Sequence, residues 1–237
     1  MTSGTVVRAE DIQADRTATG ARLQTLLDAG PDGSRLARRL VDIAPRSRFD
    51  GVTGAAGELW FVIGGAGRVD VQGHPGVPVG PDQGLWLPPG ARYQLHADGP
   101  ADLRLDAVAL PGGTLPGPPS MLAIRDLRDC EVETTGDRRF RVLFGPGKGC
   151  ATATQFVGEI PPGRAPDHSH PYDEVVLVLE GAGVVHVGGA AHAMSPGTCT
   201  HLPPGVRHCL ENTGPTTMRV LGVFHPADSP AAKLETH

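Results

Sequence analysis

The sequence predicts an all-β chain built as a tandem duplication of one unit. Three observations carry that reading. Gly (33) and Pro (23) make close to a quarter of the 237 residues, which suits many short strands joined by tight turns. The apolar runs are short, regular and bounded by Gly and Pro. Finally, the chain aligns with itself. With Glu58 placed over Glu174, an offset of 116, ELWFVIGGAGRVDVQG lies over EVVLVLEGAGVVHVGG, and Gly65 falls on Gly181.

Taken in order, residues 1–20 have neither a basic n-region nor an apolar h-region, so no signal peptide is expected. Residues 21–29 and 34–41 look helical on propensity. Their repeat partners, RFRVLF and ATATQFV, are β-like and lead to the same Pro turn, Pro45 over Pro161, so both stretches are expected to be strands. Downstream, at an offset of 115, Pro88 falls on Pro203, Gly90 on Gly205, and RLDAVALP over RVLGVFHP. Between the copies, PGGTLPGPPS (111–120) reads as a linker, because Pro and Gly forbid regular structure there. The expected division is residues 1–115 and 116–237, each with about eight strands of 5–6 residues.

Composition narrows the function. A formal net charge of −5 gives no electrostatic footprint for nucleic acid. No apolar run reaches the roughly 18 residues of a membrane span. Cys130, Cys150, Cys199 and Cys209 show no CxxC spacing. Reduced thiols and a cytoplasmic location are expected.

The chemistry concentrates between Gly163 and Asn212. His168, His170 and Glu174 lie within seven residues, and His208 follows 34 residues later, behind the turn Pro203-Pro204-Gly205. On an extended strand His168 and His170 point to one face, and Glu174 keeps their parity. A hairpin would return His208 over them. Three imidazoles and a carboxylate form a borderline-soft site for one divalent transition metal: Fe, Mn, Ni, Cu or Zn. With six coordination, two positions stay open to substrate or O2, which points to chemistry and not only to stability.

These segments resemble the paired motifs of the cupin superfamily. Gly163, His168, His170, Glu174 and Gly181 match the first, with one residue fewer than usual after Gly163. Gly197, Pro203, Gly205, His208 and Asn212 match the second without a gap. The resemblance implies tandem jelly-roll β-barrels, a bicupin, with His168, His170, Glu174 and His208 on one metal. The first copy has Val52 and Gly54 at the two HxH positions and Tyr93 in place of His208, retaining only Glu58. One carboxylate without imidazoles does not hold a transition metal tightly, so that barrel is expected to be metal-free. Glu58 and Tyr93 there would form a buried pair or line a pocket.

Around the metal, candidate substrate or acid/base groups are Gln155, Arg141, Tyr172, His186 and His201. His201 leads, because the silent copy has Trp86 at its position; Glu174 is the other candidate for moving a proton. The resemblance implies a small-molecule substrate and dioxygenase-like chemistry. The alternatives are a redox-neutral isomerase, lyase or hydrolase, and a non-catalytic binding module. No helix-turn-helix pattern supports a stand-alone transcription factor. A monomer or a homodimer would fit the duplicated chain.

Overall fold

The computed structural model describes residues 4–30, 35–71, 73–112 and 121–231. Nearly everything regular in it is β-strand, interrupted by two three-residue 3-10 turns, Ala9–Asp11 and Leu127–Asp129. The stretches with helical propensity are strands, Ala21–Leu27 and Ala37–Ile43, so register across the duplication outweighs local preference. Most of the expected linker, residues 113–120, lies outside the described residues.

Two compact units emerge. The unit holding the HxH motif contains a seven-stranded antiparallel sheet and a four-stranded one. The large sheet runs Thr5–Arg8, Thr198–Leu202, Asp173–Glu180, Met218–His225, Thr154–Ile160, Arg138–Phe144, Glu133–Thr135. The small one runs Gly163–Arg164, His208–Asn212, Gly183–Val187, Ala190–Met194. Strand alternation sends Ile160, Val176, Leu202 and Val220 from the large sheet against Val185, Val187 and Met194 from the small one, giving one jelly-roll core. Gly222 lies opposite Phe156 in the ladder, and a Cβ there would overlap the Phe156 ring.

The second unit repeats this order. Its large sheet is Ala123–Asp126, Gln83–Leu87, Glu58–Gly64, Leu103–Ala109, Ala37–Ile43, Ala21–Leu27, Asp15–Arg16, and its small sheet Arg48–Val52, Arg92–Ala97, Gly67–Val71, His74–Val79. On the face of Ala37–Ile43 away from the barrel core, Arg38 forms a fork with Asp106, at 2.7 and 3.0 Å, with both side chains fully buried.

The units do not follow a single cut at residue 115. One gathers Met1–Asp11, Ala29–Leu36 and Cys130–His237; the other gathers Ile12–Asp28 and Ala37–Asp129. The cause is strand exchange. Thr5–Arg8 pairs with Thr198–Leu202, Thr5 opposite His201, while Ala123–Asp126 pairs with Gln83–Leu87, Ala123 opposite Trp86. His201 and Trp86 are repeat equivalents, so the leading strand of each copy closes an edge in the other copy's sheet, which leaves fewer open strand edges. The structure also moves the upstream alignment by one residue. Arg39 pairs with Ala107 and Phe156 with the equivalent Gly222, so Arg39 matches Phe156 and not Gln155.

Candidate metal centre

The HxH segment is not a strand. It is a loop that touches the sheet through one antiparallel bridge, in which His168 and His208 exchange both backbone hydrogen bonds at 3.0 and 2.9 Å. The Gly205 amide, in the Pro203-Pro204-Gly205 turn, donates to the His170 carbonyl at 2.9 Å. The turn therefore brings His208 back over the histidine pair, as the spacing predicts. Glu174 enters from the Asp173–Glu180 strand.

One donor atom each from His170, Glu174 and His208 lie within 4.8 Å of one another, and all three residues are buried. The His168 ring sits at the rim of this cluster, its centroid 4.5 Å from that of His208 and 6.4 Å from that of His170. Each histidine is held in one tautomer. Nδ1 of His168, His170 and His208 lies 3.1, 2.9 and 2.8 Å from the carbonyls of Pro166, Tyr172 and Val206. A carbonyl only accepts, so each Nδ1 carries the proton and each Nε2 keeps its lone pair, the form that ligates metal. His170 Nε2 lies 2.8 Å from Glu174 Oε2 but makes no aligned hydrogen bond, although it is buried. Burial lowers the pKa of His168 and pushes that of His208 down to about 4, which keeps His208 neutral at neutral pH. The donor set and its tautomers fit a divalent transition metal.

The cluster opens on a cavity of about 80 Å3. Its wall is mainly apolar, with Phe140, Phe156, Val176, Leu202, Leu210 and Val220, and it also includes Tyr172 and Arg138. Tyr172 stacks on the His170 ring at 4.1 Å and on Phe224 at 4.0 Å, and its hydroxyl donates to the Ser229 carbonyl at 3.3 Å. Burial and the Glu174 charge push its phenol well above the usual range. Tyr172 thus braces the His170 ring.

Four sequence candidates do not reach the cavity. His201 pairs with Val175 across the ladder, while its neighbour Leu202 pairs with Glu174. Alternation therefore turns His201 to the other face of the sheet, where its Nε2 lies 2.5 Å from Asp173 Oδ1; Asp173 Oδ2 accepts the Arg35 amide at 2.6 Å. Gln155 is buried on the face opposite Phe156. Arg141 turns away from the cavity and binds Glu159 at 2.7 Å. His186 alternates with the core residues Val185 and Val187, points out and meets Glu211 at 2.8 Å. Sequence reasoning missed Arg138 and Asp173. For Arg138 the signal existed: it shares the parity of Phe140 and Val142 in RRFRVLF, whereas Arg139 and Arg141 take the other.

At the equivalent place in the other unit a guanidinium stands among the residues. Arg39 donates to Glu58 at 3.1 Å and to the Tyr93 hydroxyl at 3.3 Å, with Trp60 Nε1 donating to the same carboxylate oxygen at 2.8 Å. Its Cζ also lies 5.6 Å from the Trp60 ring centroid, within cation–π range. Glu58 and Tyr93 are therefore joined through Arg39. Burial raises the Glu58 carboxyl and Arg39 opposes it. Tyr93→His is expected to leave metal content unchanged, because Val52 and Gly54 offer no donors and Arg39 already occupies the carboxylate. An added equivalent by elemental analysis would refute this.

A cupin domain model matches residues 156–224, and an AraC-like ligand binding domain model matches residues 42–120. No curated protein matches the sequence. Several solved structures match over nearly the whole chain. The putative glyoxylate induced protein from Pseudomonas aeruginosa does so with a TM-score of 0.79 at 16% identity, covering 100% of this chain and 91% of that one. Protein Ylba from E. coli gives 0.80 at 11%, covering 96% and 93%. A mutant of Bacillus subtilis oxalate decarboxylase OxdC gives 0.78 at 16%, covering 99% and 80%. At these identities the likeness is one of fold. No described helix is long and apolar enough to cross a membrane.

Proposed function

The chain belongs to the cupin superfamily, and from that premise we propose that it is a metal-dependent enzyme acting on small molecules, with dioxygenase-like chemistry at His168, His170, Glu174 and His208. The observation that carries this reading is the set of three histidines held with Nδ1 on backbone carbonyls, which leaves each Nε2 lone pair for a metal, around a buried carboxylate. A bound Fe or Mn would supply Lewis acidity toward a substrate oxygen together with one-electron redox chemistry.

The residues do the rest. The apolar wall excludes water from the reacting face. Tyr172, clamped between His170 and Phe224, holds the central imidazole in place. Among the described residues lining the cavity, no His, Asp or Glu stands beyond the four proposed ligands His168, His170, Glu174 and His208. A proton-shuttling isomerase needs such a group; with His201 turned away, only Glu174 could take that part. This favours oxygen chemistry over redox-neutral proton transfer.

The test is elemental analysis of protein purified without added metal, followed by oxygen-uptake assays across small hydroxy-, oxo- and diol substrates. About one Fe, Mn, Ni or Cu per chain with substrate-dependent oxygen uptake is expected. Turnover that proceeds equally without oxygen, or with zinc alone, would overturn the dioxygenase reading.

A further inference from the structure

On the strand Arg138–Phe144 three arginines have different fates. Arg139 and Arg141 share one carboxylate, Glu159, at 2.8 and 2.7 Å. Arg138 faces the other way, onto the metal cavity beside Phe140. Among the described residues it forms no ion pair, and its Nε is buried without a hydrogen-bond partner. A guanidinium remains charged at any working pH and presents a planar fork that matches a carboxylate. An unpaired one, half-buried in an otherwise apolar wall, is a receptor awaiting an anion.

We propose that Arg138 is the anion-recognition residue of this cavity, and that the substrates are small organic acids. Such a molecule would offer one oxygen to the histidine–glutamate cluster and a carboxylate to Arg138, its carbon skeleton lying against Phe140, Phe156 and Leu210. This rests on the metal-centre reading given above. The cavity sets the size. Its volume of about 80 Å3 has room for several waters, each needing about 10–15 Å3, and so for a molecule of a similar number of heavy atoms. Arg139 also borders the cavity but is engaged by Glu159, so Arg138 brings one uncommitted positive charge, which favours a carboxylate over a phosphate dianion that would leave a charge unmatched in apolar surroundings.

Succinate is a suitable probe, with one carboxylate for each end of the cavity. Its affinity would be measured by calorimetry on manganese-loaded and metal-free protein, for wild type, Arg138→Gln, Arg138→Lys and Arg141→Gln. Arg138→Gln is expected to weaken succinate about 10- to 100-fold, the usual weight of a charge-assisted hydrogen bond, with manganese stoichiometry unchanged. Arg138→Lys should recover part of the loss, and Arg141→Gln should bind as wild type does. Equal succinate affinity in wild type and Arg138→Gln, in both forms, would overturn the proposal. Inorganic phosphate binding more tightly than succinate would overturn the carboxylate assignment. A wild type that takes up no manganese would sink the metal reading alone, because the metal-free comparison still measures Arg138.

Discussion

His170→Ala is expected to reduce bound metal from about one per chain to a trace, with the barrel still folded. The imidazole stands at the centre of the cluster, almost fully buried, with Nε2 against Glu174 and its ring clamped by Tyr172. An apparent 10–16 kcal/mol for a four-ligand structural site puts about 2.5–4 kcal/mol on each ligand. Loss of one therefore costs about 100- to 1000-fold in affinity. The fold depends on other groups, namely the two-sheet core and the backbone bridge between His168 and His208, which needs no side chain. The instructive companion is His201→Ala. It lies on the other face of the sheet, so metal content should stay near wild type, while stability drops because Asp173 keeps a buried carboxylate with one partner fewer. Elemental analysis and thermal unfolding of both variants decide the matter. Metal retained in His170→Ala and lost in His201→Ala would reverse the assignment of the two histidines.

The second large effect is on stability alone. Asp106→Ala should cost about 3–5 kcal/mol, because it removes the bidentate partner of a fully buried guanidinium. At about 2–4 °C per kcal/mol for a protein of this size, the melting temperature should fall by about 6–20 °C. Burial raises the Asp106 carboxyl, and the Arg38 guanidinium opposes that only in part. The double substitution Arg38→Met with Asp106→Leu removes both charges and should recover most of the loss. A single-variant cost below about 1 kcal/mol would mean that water reaches the pair after all.

The parts of this protein readable from sequence are those fixed by short spacing. His168, His170 and Glu174 are neighbours in the chain, and the Pro203–Gly205 turn marks His208 locally. The all-β class survived a helical propensity at residues 21–29 because the second copy supplied an independent reading of the same position. His201 shows where this stops. Its parity with Cys199 is visible, but which face of the strand looks at the metal depends on its partner, and the pairing of Glu174 with Leu202 is a non-local fact. Arg39 is a similar case. A single-residue difference in the turn before the HxH position changes which side chain meets Glu58, and Pro-on-Pro alignment cannot detect it. The exchanged edge strands, TVVR and AIRD, are four residues long and carry too little pattern to announce a partner elsewhere in the chain.

Those two short strands also set a timetable for synthesis. Thr5 is made 196 residues before its partner His201. At about 5–20 residues per second, the Thr5–Arg8 strand spends about 10–40 s outside the ribosome with nothing to pair with. Ala123 waits for nothing, since Trp86 precedes it. The sheet that holds Glu58 can therefore complete itself while the chain is still being translated, whereas the metal-bearing sheet takes its edge strand from a segment made 196 residues earlier.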